Sequence, residues 1–515
     1  MKNGVMLQGF EWNLPADGKH WRVLAQRAFQ LHRQGFTALW MPPAGKGAGG
    51  DKDVGYGVYD LYDLGEFDQK GSVGTKYGTR EAYLAAVGAL KAAQVQPLAD
   101  LVLNHRMGAD ECEDVSASRM DWEDHRRVLE SGVPVRLFTR FTFPGRKGMY
   151  SDFMWDASCF TGSSWDERSG AEGLYLISGK HWAPDVDEER GNYDYLMGAD
   201  VDFHAPAVLE EMQRWGRWFV DTSGVEGFRL DAVKHISAAF YRDWLEDMRR
   251  YAGKELYAVG EYWQYDVGRL HRYLEQVEGR MNLFDVPLHG KFRAISTSGG
   301  QYDMRTLFDH TLVGTRPHQA VTFVDNHDTQ PGQSLESWVE GWFKASAYGL
   351  ILLRAFGYPC VFWGDLYGIP GQGIGRVTEL PLLMRLRRNN AVGPEHDCFD
   401  HQHVIGFTRE GDPDQPGSGL AFVCTNGEAG AKRMYVGKRH AGRWFRCALG
   451  DQADVRIDSD GTGLFKVKDG RCSVYVPRLS AAEAIHRARV ETVYRLDSYA
   501  REAAWRARAK LQRNG

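Results

Sequence analysis

Cysteine is scarce in this 515-residue chain: Cys112, Cys159, Cys360, Cys398, Cys424, Cys447 and Cys472 are odd in number, scattered and never in a Cys-x-x-Cys pair. That pattern counts against a zinc framework or a disulfide scaffold and fits reduced thiols in a cytosol. No apolar run reaches the roughly 20 residues that span a membrane. The opening, Met1 to Phe10, has one basic residue and no apolar core of signal-peptide length, so a cytoplasmic location is expected. A net charge of only -5 gives no reason to expect nucleic acid or an anionic membrane as partner. Internal repeats and low-complexity segments are absent too.

What is present is a globular composition, 43% hydrophobic and 25% charged, in a chain too long for one ordinary domain. Sixteen Trp beside 59 Gly suit a protein that holds flat apolar faces, such as sugar rings, between loops. Strand-like runs alternate with helix-like segments over most of the first 390 residues. The strands are Val5–Phe10, Ala38–Met41, Pro97–Leu103, Gly227–Asp231, Leu256–Glu261, Met281–Val286, Ala320–Asn326 and Cys360–Gly364. Helices are expected at Trp21–Gln34, Arg80–Ala93, Ala207–Asp221, Ser237–Tyr251, Val267–Glu278, after Met304, at Leu335–Phe356 and at Leu380–Asn389. Eight strand–helix pairs predict the α/β class and a (β/α)8 TIM barrel, at 1–104 and 206–394. Residues 105–205 are too long for a loop and read as an inserted small β-rich domain after the third strand. From 395 to 479 short alternating strands predict a C-terminal antiparallel β-sandwich. In the tail, 480–515, Val493, Leu496, Ala500, Ala503 and Ala507 recur at helical spacing, the pattern of a solvated helix docked on the protein, or of a self-association helix.

Chemistry gathers at the strand ends, which in such a barrel face the active site. Arg229 and Asp231 lie two residues apart in one strand, hence on one face, and a buried charge there has to be paired. The third strand runs out through Asp100 to Asn104 and His105, the fifth into Glu261, Tyr262 and Trp263, and the seventh into His327 and Asp328. Charged residues at four strand ends are not explained by packing. Two carboxylates on one rim are what glycoside hydrolysis requires. Arg229 beside Asp231 favours its ionised form, so Asp231 is the nucleophile. Glu261, beside aromatics and near other carboxylates, is the acid/base. A metal hydrolase would need clustered ligands such as His-x-His, which these strand ends lack. A phosphate-binding barrel would rest on Gly371–Gly375, better read as turn glycines.

Asp100–His105, Gly227–His235, Gly260–Trp263 and Phe323–Asp328 resemble, in order and spacing, the four sequence regions of the α-amylase family of glycoside hydrolases. Leu196–Phe203 resembles the further region that closes that family's inserted domain. Val5–Trp12 and Gly55–Phe67 resemble its bacterial liquefying, intracellular-type branch. The similarity runs from about residue 4 to 480. It implies a retaining endo-hydrolase of internal α-1,4-glucosidic bonds in starch, glycogen or maltodextrins, with Asp231 as nucleophile, Glu261 as acid/base and Asp328 stabilising the transition state. A glucanotransferase on the same residues and a silent glycan-binding relative are the alternatives. By the same resemblance Arg229 orients Asp231, His105 and His327 bind sugar hydroxyls, Tyr56 stacks on the reacting ring, and Lys234, His235 and Trp263 line the site. One structural calcium is implied, held by Asn104, Asp194, Asp200 and the main-chain carbonyl of His235. Thr161 and Ala183, and likewise His403 and Asn426, stand where that branch has carboxylates, so its further metals are not expected.

Overall fold

A parallel strand needs both faces covered, and eight short buried segments meet that condition here by closing on one another. They are Met6–Gln8, Ala38–Met41, Gln96–Leu101, Gly227–Leu230, Tyr257–Gly260, Asn282–Phe284, Ala320–Phe323 and Tyr358–Phe362. Each lies beside its sequence neighbours, and Met6 pairs with both Ala38 and Cys360, which closes the ring. The protein is described here by a computed structural model covering residues 3–514, the side chains of 509–514 apart. Met1, Lys2 and Gly515, outermost residues of the expected barrel and tail, lie outside the described residues.

Alternation along the strands sorts the side chains. Met6, Trp40, Leu98, Val259, Phe284, Val321, Phe323 and Cys360 form one buried cluster in the bore. Phe228 and Leu230 belong instead to the large cluster between strands and helices. Strand spacing is tight around the fourth strand: a Cβ on Gly227 would lie 2.3 Å from the carbonyl oxygen of Tyr257, so no larger residue fits.

The barrel class is as the alternation predicted, with two helices placed differently. The helix after the sixth strand is Val286–Thr297, not one beyond Met304, where only single turns at Met304–Thr306 and Leu312–Thr315 occur. Asp285 caps it by accepting from Leu288 N–H, and Pro287 sits in its first turn, where a missing N–H costs nothing. The eighth-strand approach is also shorter: the helix is Gly341–Leu352, because the chain before it is tied down by Val339 N–H to the Asp325 carboxylate at 3.3 Å.

Between the third and fourth barrel strands lies a six-stranded sheet dominated by the hairpin Glu111–Met120 and Val128–Arg140. The C-terminal part has six antiparallel strands and a second, two-stranded sheet, Gly430–Tyr435 with Thr462–Val467. Val423, Met434, Phe445, Phe465 and Tyr475 pack between them. Glu395–Cys398, Val455–Arg456 and Thr462–Val467 are strands the sequence pattern did not predict.

Ala481–Asn514 is one helix lying against the first two barrel helices, His20–Gln34 and Arg80–Ala92. Trp505 seats on Gly88, where an added Cβ would be 2.7 Å from its ring. Tyr494 stacks on His32 at 4.8 Å. The apolar series is not the docking face: Val493 and Leu496 are 60% and 62% exposed. Among the described residues no helix is long and apolar enough to cross a membrane.

Gly349, in the helix facing the sandwich, tests how tightly barrel and sandwich are packed. Alanine there gains about 1 kcal/mol of helix propensity, but its Cβ would sit 2.3 Å from the ring of Phe422. Overpacking of that kind costs about 1–3 kcal/mol. Gly349→Ala therefore lowers the melting temperature; a rise in calorimetry would mean the interface is loose.

Candidate active site

One buried cation organises the C-terminal rim of the barrel. The parallel register sets Arg229 beside Asp100 on one side and Val259 on the other, two residues short of Glu261. Its guanidinium donates through Nη1 to Asp100 Oδ1 at 2.8 Å and Asp231 Oδ1 at 2.7 Å, and through Nη2 to Glu261 Oε2 at 2.6 Å. The ring of Trp40 lies 4.7 Å from the guanidinium carbon. Asp100 is saturated: its other oxygen accepts from Trp40 Nε1 at 2.9 Å and Tyr56 Oη at 2.8 Å.

Asp328 joins these groups without a direct bond to Arg229, and all four carboxyls are raised above their ordinary range by burial. Arg229 pulls each of them back down. In Glu261 burial and the charges of Asp231 and Asp328 prevail, and its pKa is pushed up to about 8. Asp328 reaches about 7 for the same reasons. The conflict is arithmetic: one guanidinium cannot balance four ionised carboxylates in a dry site, so protons stay. Burial raises Asp231 as well, while the charge of Arg229 and its hydrogen bond hold that rise in check. A backbone kink supports the arrangement. Ala232 has φ of 46°, a left-handed conformation costly for a residue with a Cβ, and its N–H reaches Glu261 Oε2 at 3.3 Å.

Two histidines border the carboxylates, each with one ring nitrogen committed and one free. His105 Nε2 donates to the carbonyl of Tyr56 at 2.8 Å, leaving Nδ1 without a partner. His327 Nδ1 accepts from the Gln8 amide at 2.9 Å, which puts its proton on Nε2, where Asp328 Oδ2 is 3.4 Å away and no hydrogen bond forms. Burial holds both rings neutral, His105 down to about 4. Tyr56 stacks at 5.0 Å on His327 and at 5.9 Å on Trp12. Trp263 is half-buried against His289 and Phe323. Trp12, Gln8 and the closing of Asp100 on Arg229 were not foreseen. Only the cross-strand register makes Asp100 and Arg229 partners.

Lys234 and His235 face the inserted sheet. Lys234 Nζ pairs with Glu189 at 2.8 Å, and His235 Nδ1 meets the carbonyl of Tyr193 at 2.7 Å. The next residue, Asp194, lies close enough to Asp200 to raise its pKa, and Asn104 Nδ2 donates to Asp200 Oδ1 at 3.4 Å. Both aspartates are buried, and neither has a Lys or Arg partner among the described residues. Asp194 is pushed up to about 7 by burial and by Asp202 and Asp185. Buried carboxylates that repel one another, with an amide oxygen and no side-chain cation, are a hard-oxygen donor set that fits a divalent cation such as calcium. No group of three or more His, Cys, Asp or Glu among the described residues could hold a metal; this set has only two acidic members. At the positions without carboxylates, Thr161 Oγ1 donates to Asp200, Ala183 N–H to Asp194, and His403 Nδ1 meets Asn426 Oδ1 at 3.2 Å. The chain's His-x-His, His401–His403, sits beside that last pair in the sandwich, away from the rim. Gly371–Gly375 forms a turn bridged by Ile369 and Ile374.

A closed (β/α)8 barrel with several carboxylates gathered around one arginine on its C-terminal rim fits a class, the barrel glycoside hydrolases. Comparison with known proteins gives the particular family. The profile described as "Alpha amylase, catalytic domain" matches residues 24–409. An α-amylase of Geobacillus stearothermophilus is 51% identical over 487 residues, 94% of this chain and 88% of that protein. The cytoplasmic α-amylase of Escherichia coli K12 is 44% identical over 492 residues, 92% of this chain and 99% of that one. In structure, the α-amylase of Geobacillus thermoleovorans complexed with acarbose aligns with TM-score 0.60 at 17% identity, covering 93% of this chain and 99% of that chain. The chain belongs to the α-amylase family, and it is a glycoside hydrolase.

The Glu261 proton can be followed directly. In carbon-13 NMR of the free protein its carboxyl should titrate near the value of about 8 set by burial and its neighbours. Asp328→Asn removes one of the negative charges that raise it, so the midpoint moves down. An upward or absent shift would show that Asp328 does not act on Glu261 through charge.

Proposed function

We propose that the protein is a retaining endo-hydrolase of internal α-1,4-glucosidic bonds in starch, glycogen or maltodextrins. The observation that carries this is the shared guanidinium. Asp231 and Glu261 bond to the two ends of one Arg229 fork, through Nη1 and Nη2, which favours the short carboxyl separation of retaining enzymes, about 5–5.5 Å, over the wider gap that inversion needs.

Glu261, protonated at neutral pH, gives its proton to the leaving glycosidic oxygen. Asp231, its charge supported by Arg229, attacks the anomeric carbon. Glu261, now a carboxylate, then takes a proton from the water that releases the sugar. Asp328 lies where a carboxylate can bind hydroxyls of the reacting ring and support its developing positive charge. His327 Nε2–H donates to, and His105 Nδ1 accepts from, sugar hydroxyls. Tyr56, presenting its ring in a stack with Trp12 and His327, faces the sugar. Lys234, His235 and Trp263 line the site beyond it.

The calcium of this reading is held by Asn104, Asp194, Asp200 and the His235 carbonyl, and its role is structural. It neutralises carboxylates that the protein leaves without a cation. The closed hydrogen bonds at Thr161, Ala183 and His403 support a single such ion. A cytoplasmic setting fits seven cysteines that are all free and the similarity to the Escherichia coli cytoplasmic enzyme.

Anomer-resolved NMR of a maltoheptaose digest tests the reaction. Early α-anomeric products of internal cleavage are expected, with turnover in Glu261→Gln reduced about 10²–10⁴-fold. Lengthened oligosaccharides would indicate a transferase, and β-anomeric products an inverting mechanism. The alkaline limb of kcat/KM should follow Glu261, falling as pH rises through about 8.

Chelation tests the metal. Calcium at about 1,000 times its Kd adds about 4 kcal/mol to the native state, so removing it lowers the melting temperature. In Asp200→Asn the chelator has a smaller effect. An equal effect in both proteins would place the ion elsewhere.

A further inference from the structure

The tail helix is amphipathic in the reverse of the usual sense. The side that meets the protein body is polar: Arg443 Nη2 bonds Glu483 at 2.7 Å, Arg388 Nη2 bonds Glu491 at 2.5 Å and Arg33 Nη1 bonds Glu502 at 2.7 Å. Ser498 is buried on the same side. The outer side carries the three most exposed large apolar side chains among the described residues: Ile485 at 70%, Leu496 at 62% and Val493 at 60%. One exposed Leu is ordinary, but a row of such residues on one helix marks an interaction surface.

We propose that this outer face pairs with the same face of a second copy, antiparallel, about a two-fold axis at Ala500. Val493, Leu496, Ala500, Ala503 and Ala507 follow a spacing of three, four, three and four, which is the seam of a helix pair. The seam is bulky at one end and small at the other. In the antiparallel arrangement Val493 lies opposite Ala507 of the second copy, Leu496 opposite Ala504, and Ala500 opposite itself. Every layer then pairs a large residue with a small one or two small ones, so the seam can fill without voids. A parallel pair would set bulky against bulky at one end and leave alanine against alanine at the other.

Charge agrees with this choice. Asp497 and Arg506, which flank the seam, lie level with Ala503 and Tyr494 of the second copy in this register, so no like charges meet. A two-fold contact of this kind uses one patch twice and closes on itself. The arginines elsewhere on the outer side would also suit an anionic lipid surface, but a membrane-inserting face needs Leu, Phe or Trp along its length. Here three of five seam residues are alanine, which suits close helix approach. From Val493 to Ala507 the contact is about 21 Å long, and two such strips fall below the roughly 1,200 Å² of a stable standard interface. The dimer is therefore weak and depends on concentration.

Sedimentation of the full chain from about 1 to 200 µM reads this directly. The expected weight-average mass rises from 58.2 kDa towards twice that value. Leu496→Glu, at a side chain already in solvent, should keep it at the monomer mass with melting temperature unchanged. Ala500→Cys should form a disulfide-linked dimer on mild oxidation, since a residue on the axis meets its own copy. Ala484→Cys should add no cross-link beyond that of the parent chain and its partly exposed Cys112, Cys398 and Cys447. A monomer at every concentration overturns the proposal, as does a dimer that survives Leu496→Glu. Binding of a monomeric chain to phosphatidylserine vesicles, lost in Leu496→Glu, would assign the face to lipid instead.

Discussion

The fold is arranged so that one fully buried arginine can exist. Arg229 stands inside a closed barrel, where an unpaired charge would cost several kcal/mol, and three carboxylates bond it directly. That requirement reaches down the chain in both directions. Asp100 must be one strand away and in register, Glu261 must end the next strand on the other side, and Gly227 must let those strands approach. Trp40 and Tyr56 then complete Asp100, so its charge belongs wholly to Arg229. The outcome is an inequality of roles among similar groups. Asp100 is spent on structure, while Asp231 and Glu261 each keep one oxygen free of Arg229.

What could be read from the sequence follows from how local the signal is. Gly227–Asp231 is legible because period-two alternation puts Arg229 and Asp231 on one face whatever surrounds them, and the strand count is legible because buried parallel strands are short apolar runs. The helix Val286–Thr297 was hidden because Val286-Pro287-Leu288 continues the apolar run of the sixth strand. Its boundary is set by the Asp285 carboxylate, which also accepts from Leu312 and Val313 N–H far along the chain. The Asp100–Arg229 pair was hidden for a related reason: it depends on inter-strand register, which no single segment encodes. The tail misled in the opposite way. Its apolar periodicity is real, but ion pairs and Trp505 fix the docking side, leaving the apolar side outward.

Two groups of carboxylates on the same rim solve one problem differently, and the difference ties stability to catalysis. Around Arg229 a protein cation and retained protons hold the negative charge in check. Around Asp194 and Asp200 the nearest ion pair is Lys180 with Asp202, neither aspartate has a Lys or Arg partner among the described residues, and a bound divalent ion, as proposed above, supplies the balance. The two places are mechanically one. Asp187 accepts from Tyr262 Oη at 2.5 Å and Arg269 Nη1 at 2.5 Å, its own N–H donates to the Lys234 carbonyl at 2.9 Å, and its carbonyl accepts from Tyr193 N–H. The loop that carries Asp194 is thus bonded to the residue after Glu261 and to the segment after Asp231. Repulsion between Asp194 and Asp200 that moved this loop would shift Asp231 and Glu261 relative to each other, and in the mechanism proposed above displacements near 1 Å are enough to cost about a hundredfold. A structural ion outside the reacting centre would on this account set how much of the protein is competent, leaving the chemistry of each competent molecule to the carboxylates around Arg229.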